Sequence, residues 1–483
     1  MKVERFLSFG KKTLQFLSHA KVLLTMIHLS IDFRKLLFQN EKVSQHLTCQ
    51  QARSVAYVLK LLAGLSTGFY ILTYLVVIGD AGAPLFHLSP AVLGLAAIGF
   101  CFILEYFLEV PSGAEADIRG TRSTFIMSFV LRGFFPLLLI MTITMMTSNA
   151  WLLVIGTIVT MTTFAVAFTL FSGNFEQFLI AQCDEIKRGD KVFALSQGLF
   201  YIGFISGAAA SLLLSSTIAF ILSAFCSFLA ALVCCILPRE EKEKKEVSKR
   251  SDVMEQAFLD LKSHSILSTM FWMSSFIYGI HMLVEAIIPI VYLANIRGEG
   301  SAYSLQEKFI VLICGISLPY VLGSFSLIPK RKIENDISQS LRSLQKEMVL
   351  YCAACLLLFF AHHFSGFLQT GLFGLAVFFI NISFGRLIPL FQSFNARLAQ
   401  KMSQVPKTLL SIGEKRKKVA SILTLFFPFF VGLMWDDKNG AIKENLYYAV
   451  IGVSAFFLVL YTFITFRKYF LANIQDPIPE QVQ

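Results

Sequence analysis

Apolar runs of about 20 residues recur along the whole chain, and nothing else in the sequence limits the fold so strongly. A helix of that length crosses the ~30 Å hydrocarbon layer of a bilayer. Water cannot solvate so much apolar surface, so lipid or neighbouring helices must cover it. Twelve such windows are read at 55–79, 90–112, 122–146, 149–172, 192–214, 216–237, 266–293, 306–328, 346–363, 366–390, 417–436 and 446–467. None shows the alternating pattern of a membrane β-barrel, so the spans are expected to be helices, whose backbone groups satisfy one another. Only 15% of residues are charged and 55% are hydrophobic, where a soluble domain carries roughly a quarter charged residues.

The net charge of +11 raises the question of nucleic acid. The basic residues answer it by their placement in short segments between apolar runs. One alternating set of segments holds Arg119 and Arg122, then Lys187, Arg188 and Lys191, the run Lys242 to Arg250, Lys330 to Lys332, and Lys415 to Lys418. The other set, Gly79–Pro90, Thr147–Asn149, the turn near Ser215 and His362–Gly366, is nearly free of them. The positive-inside rule places the first set in the cytoplasm, and no nucleic-acid partner is expected. The basic segment before Val55 and the pair Arg467–Lys468 fall on the same side, which agrees with an even number of spans.

The expected fold is therefore all-α integral membrane, twelve transmembrane helices in two six-helix bundles with both termini cytoplasmic. Residues 1–54 read as a basic amphipathic cytoplasmic tail lying on an anionic surface. Residues 55–237 and 266–467 read as the two bundles, 238–265 as a charged cytoplasmic linker, partly helical, and 468–483 as a second tail. Of the nine cysteines, Cys352 and Cys355 stand at C-x-x-C spacing, one helical turn apart, and several lie inside apolar runs; they read as buried small apolar side chains, so neither a disulfide framework nor a metal site is expected. No cofactor is expected either.

The most specific local pattern follows the second window: Glu109-Val110-Pro111-Ser112-Gly113-Ala114-Glu115-Ala116-Asp117-Ile118-Arg119-Gly120-Thr121-Arg122. Gly113 would let two helix backbones approach and Gly120 would permit a tight turn. Asp117 stands where a carboxylate can face a neighbouring helix N-terminus or basic side chains. This stretch resembles the loop between the second and third spans of the major facilitator superfamily, roughly G-x-L-A-D-R-x-G-R-R/K, with Gly113, Ala116, Asp117, Gly120 and Arg122 in register. Glu115, Ile118 and Thr121 depart from it, and Arg119 supplies a basic group from the adjacent position. A second stretch, Ser172-Gly173-Asn174-Phe175-Glu176, is similar to an S-G-x-x-E sequence that some facilitators carry at the end of the fourth span. The resemblance implies a conformational latch of Gly113, Asp117, Arg119, Gly120 and Arg122, with Glu176 engaging the basic residues of that loop.

Charges at membrane depth cost several kcal/mol unless paired or hydrated, so each marks a place to look for function. Glu105 and Arg132 lie roughly 15–18 Å from the loop at about 1.5 Å per residue and are expected to pair. Glu109 sits one turn from Glu105 on the same face. His281 and Glu285 share a face of the seventh window ahead of Pro289 and suggest a proton relay. Arg386 in the tenth window would either snorkel to the interface or hold an anionic substrate.

These readings suggest a secondary transporter that moves a small-molecule substrate by alternating access, coupled to protons, acting as a monomer in a bacterial cytoplasmic membrane. A transporter-derived receptor or assembly factor is the alternative. A membrane-embedded enzyme is not expected, because no H-E-x-x-H, G-x-S-x-G or Walker sequence occurs.

Overall fold

The computed structural model describes residues 49–86, 90–146, 150–181, 189–237, 249–297, 318–327, 337–361, 363–364, 366–433, 460 and 464. Among them the regular structure is entirely helical. In chain order the helices are α1 (Cys49–Phe86), α2 (Pro90–Arg119), α3 (Thr121–Met146), α4 (Ala150–Phe171), α5 (Asn174–Ala181), α6 (Gly189–Leu212) and α7 (Ser216–Cys234). After these come α8 (Arg250–Ser263), α9 (Ser265–Arg297), α10 (Leu318–Phe325), α11 (Ile337–Ala361), α12 (Gly366–Met402) and α13 (Pro406–Leu433). Six stretches among the described residues are long and apolar enough to cross a membrane: Thr121–Thr144, Trp151–Ala181, Asp190–Ser211, Ser216–Cys234, Ser343–Ala361 and Gly371–Met402.

Before α8, helix α1 packs on α6 and α7, and α3 packs on α4 and α7. The α1–α6 contact is made backbone to backbone: a Cβ on Gly203 would stand 2.3 Å from the Leu61 carbonyl oxygen. Where α1 meets α7, Ser66 and Ser223 exchange hydroxyl-to-carbonyl hydrogen bonds of 3.1 and 2.9 Å, so neither hydroxyl is left to the apolar interior. Beyond α8, α12 carries α10 and α11, and α9 packs on α13.

The two groups of helices meet where α2 lies against α13, and where α6 lies against α10 and α12. The main apolar core crosses this seam, running from Val110, Phe171 and Phe175 on one side to Leu409, Leu410 and Phe391 on the other. A smaller cluster around Tyr70, Phe135 and Phe220 belongs to the first group alone.

The eleventh window begins earlier than expected. Residues Lys415 to Lys418, read from the sequence as a solvated cytoplasmic loop, lie inside α13. Pro406 opens that helix, a position where its fixed φ suits the first turn, and Lys418 is buried on arrival at the seam. The fourth window is followed by a sharp turn at Gly173 (φ +67°) and the short helix α5. The linker is helical over Arg250–Ser263. The N-terminal tail up to residue 48, most of the eighth and twelfth windows, and the C-terminal tail lie outside the described residues.

Candidate functional site

The patterned stretch Gly113 to Arg122 forms the end of α2, a one-residue turn and the start of α3. Gly120 makes that turn at φ 85°, a conformation that side chains rarely adopt. Gly113 is where α2 touches α13: a Cβ there would stand 2.3 Å from Ser411 Oγ and 3.0 Å from Thr408 Cα. One turn on, Asp117 Oδ2 accepts hydrogen bonds from the Thr408 backbone N–H (2.8 Å) and the Thr408 hydroxyl (2.6 Å). Thr408 lies in the first turn of α13, whose N–H groups have no partner within the helix. The carboxylate therefore caps a neighbouring helix at the positive end of its dipole, one of the two partners, helix N-terminus or basic side chains, that the sequence allowed. Burial pushes the Asp117 carboxyl above its ordinary value, while Thr408 and Lys407 pull it back down.

The departure at Glu115 also has a role. Its carboxylate is paired with Arg119, four residues on, and with Arg250 at the start of α8. At its other end α8 accepts a 2.5 Å hydrogen bond from Ser403 Oγ at Asp260. The linker helix is thus tied to both groups of helices. Arg122 sits in the first turn of α3, and among the described residues it has no ion-pair partner.

Two further polar contacts cross the seam. Glu176 Oε1 accepts from Gln392 Nε2 of α12 at 2.9 Å. This corrects the expectation that Glu176 engages the basic residues of the α2–α3 turn: α5 presents it to α12 instead. A cavity with room for about one water lies beside it, lined by Glu176, Gln392, Asn395, Glu414 and Lys417. Arg397 of α12 donates to Asp190 in the first turn of α6 at 2.6 Å, with the anion again at a helix N-terminus.

Deeper in the seam, the expected pair of Glu105 and Arg132 does not form. Glu105 is ion-paired with Lys418 of α13, and both are buried, at 1% and 4% exposure. Helix α2 packs on α13 and α4 in preference to α3, so the nearest available cation comes from the other group of helices. Cys101 Sγ donates to the second oxygen of Glu105 at 3.4 Å. Glu109, also buried, accepts from Ser172 Oγ at 2.7 Å, and its Oε1 has no hydrogen-bond partner among the described residues. Arg132 instead places its guanidinium 5.0 Å from the Phe171 ring, 5.4 Å from Phe168 and 5.6 Å from Phe129.

In the second group, His281 is hydrogen-bonded to Tyr320 of α10, lies 3.4 Å from Tyr351 of α11 and stacks on Phe384 of α12. The Glu285 side chain lies outside the described residues, so the relay read from the sequence has only its histidine here. Arg386 donates to Ser326 Oγ at 2.7 Å and faces Glu347 of α11 at 3.4 Å. Neither snorkelling nor anion binding is needed to account for it. Ring contact between Tyr201 of α6 and Tyr320, 4.7 Å between centroids, joins this aromatic group to the first half of the chain.

Several residues at the seam were not found by reading the sequence: Lys60, Asp190, Gln392, Arg397, Lys407, Thr408 and Lys418. Lys60 did carry a signal, as a single cation inside the first apolar window. Thr408 and Gln392 carried none, since an uncharged side chain becomes a partner only once the fold places it.

Replacing Asp117 tests the latch. Hydrogen bonds to a charged group are worth about 1.5–3 kcal/mol each, so Asp117→Ala is expected to move the seam toward separation by roughly tenfold or more. A maleimide should then label Ser411→Cys at least that much faster than in the parent, with Asp117→Asn falling between the two. Equal labelling rates in all three would show that Asp117 does not hold the seam.

The family model described as Major Facilitator Superfamily matches residues 56–427. No curated protein matches the chain by sequence. Among solved structures, the human organic anion transporter MFSD10 (TETRAN) is similar with a TM-score of 0.62 at 13% identity, over 86% of this chain and 100% of that one. A bacterial homologue of the iron transporter ferroportin in an outward-facing state gives 0.62 at 10% identity, over 85% and 98%. The E. coli fucose:proton symporter FucP gives 0.59 at 14% identity, over 85% and 99%. At such identities the likeness shows a shared fold.

Proposed function

We propose that this chain, which belongs to the Major Facilitator Superfamily, carries a small solute across a membrane by alternating access, with proton coupling. The observation that supports this most is the seam between α2 and α13. It is closed by the separable polar contact of Asp117 with Thr408, and the neighbouring contacts of α5 and α6 with α12 add Glu176 with Gln392 and Asp190 with Arg397. Such a contact set can form in one arrangement and break in another. The basic residues put this end in the cytoplasm, so the arrangement corresponds to a protein shut toward the cytoplasm. Among the structural neighbours, the ferroportin homologue is described as outward-facing.

Proton coupling rests on Glu109. It is a carboxyl group near the end of the second apolar window, buried, with one oxygen lacking a hydrogen-bond partner among the described residues. An ionisable group in that setting is a natural proton carrier. FucP and the xylose transporter XylE are both described as proton symporters, which agrees with this reading.

The test is flux in proteoliposomes with a panel of sugars, nucleosides and organic anions under an imposed pH gradient. Accumulation should follow the gradient and collapse with a protonophore. Glu109→Gln should lower gradient-driven accumulation by roughly tenfold or more while leaving exchange of internal for external solute intact. Accumulation indifferent to the gradient would remove proton coupling, and absence of flux for every solute would remove transport.

A further inference from the structure

We infer that Lys60 and Arg132 form the subsite for the charged end of the transported solute, and that this solute is an organic anion with an apolar or aromatic body. The inference rests on the transporter reading above and names its substrate class.

Three cations at the seam each hold a carboxylate. Lys418 holds Glu105, Lys417 holds Glu414, and Arg397 holds Asp190. Away from the seam, Arg386 faces Glu347. Lys60 and Arg132 differ. Among the described residues neither has a carboxylate within ion-pair distance, and the Arg132 Nε, which is buried, has no hydrogen-bond partner. The carboxylates whose fields reach them are engaged elsewhere: Glu176 and Glu414, which act on Lys60, with Gln392 and Lys417, and Glu105, which acts on Arg132, with Lys418.

The two cations face the same aromatic ring. Lys60 Nζ is 5.2 Å and the Arg132 guanidinium 5.0 Å from the Phe171 centroid. Lys60 also lies 4.3 Å from Phe175, and Arg132 5.4 Å from Phe168. Helices α1 and α3 thus bring two half-buried cations along a ladder of phenylalanines on α4 and α5. Two positive charges around one ring repel each other in a medium of low dielectric constant. An anion shared between them removes that repulsion and satisfies the free guanidinium face. Guanidinium matches the planar fork of a carboxylate, phosphate or sulfonate, with the ammonium as a second point charge. The phenyl rings offer stacking surface to the rest of the molecule. A cationic solute would meet two like charges, and a neutral one would leave both uncompensated.

The same acidic chemistry could arrive as a dissolved solute or as an anionic lipid headgroup. Purified full-length protein is therefore tested by thermal shift with matched triplets: an aryl carboxylate or aryl phosphate, its neutral amide or ester, and the corresponding ammonium. Phosphatidylglycerol and phosphatidylcholine micelles form a separate arm. At least one water-soluble anion should stabilise the protein while its neutral and cationic counterparts do not. Lys60→Met and Arg132→Gln should each weaken that binding about tenfold or more, and Arg132→Lys by less. The wild-type comparison stands even if a variant fails to fold. No anion surpassing its neutral isostere, binding unchanged in both variants, or stabilisation by phosphatidylglycerol alone would each overturn the proposal. Saturable flux of a neutral or cationic solute in both variants would sink the anion subsite and leave transport intact. Anion binding that depends on both residues, with no flux of any solute, would sink transport and leave the subsite standing.

Discussion

Lys418→Met is expected to destabilise the protein by about 3–5 kcal/mol, because it strands a buried carboxylate. Glu105 is 1% exposed, and its ion-pair partner is Lys418. Removing the cation leaves a charge that neither lipid nor the packed seam can solvate. Glu105→Gln is expected to do comparable damage from the other side, by stranding the ammonium. The double variant Glu105→Gln/Lys418→Met keeps both side-chain volumes and buries no net charge, so it should recover most of the loss. A double-mutant cycle on thermal stability in detergent reads this directly. Additive losses would mean that the two charges are compensated independently. Because the pair joins α2 to α13, either single variant should also loosen the seam and expose Ser411→Cys to maleimide.

Gly113→Val should stop transport while leaving the fold largely intact. A Cβ at this position would stand 2.3 Å from Ser411 Oγ, 2.7 Å from Ser411 Cβ and 3.0 Å from Thr408 Cα. Two of these atoms belong to the root of a side chain and to backbone, so the helices themselves must part. Overpacking of this kind costs about 1–3 kcal/mol, and parting also breaks the Asp117 contacts with Thr408. The whole penalty falls on the arrangement in which α2 and α13 touch at this point. Flux should drop by roughly a hundredfold, with thermal stability changed far less. Gly113→Ala should be milder and be partly rescued by Ser411→Gly. Wild-type flux in Gly113→Val would show that the α2–α13 contact takes no part in the cycle.

The fold class was legible because bilayer crossing imposes a length and a composition, and both can be counted. The close approach, the turn and the helix cap were legible for a related reason: Gly113, Gly120 and Asp117 answer local requirements. What stayed hidden was partner choice. Glu105 pairs with Lys418, more than 300 positions away, and the sequence offered Arg132 as a nearer cation across a short turn. The sequence placed Lys415 to Lys418 outside the membrane, since runs of charge usually face water, yet α13 carries Lys418 into the seam. Glu176 was read against the wrong element for the same reason: its partner, Gln392, is uncharged and lies on a distant helix.

The most direct test of alternating access is the separation of α2–α3 from α12–α13 at the latch end in a lipid bilayer. Spin labels at Ser123→Cys and Gln404→Cys, both exposed positions, report it by pulsed dipolar spectroscopy in a background with the native cysteines replaced. Two distance populations are expected: a short one matching the closed seam, and a longer one that Asp117→Ala or Gly113→Val enriches. A single short distance in the parent and in both variants would contradict it.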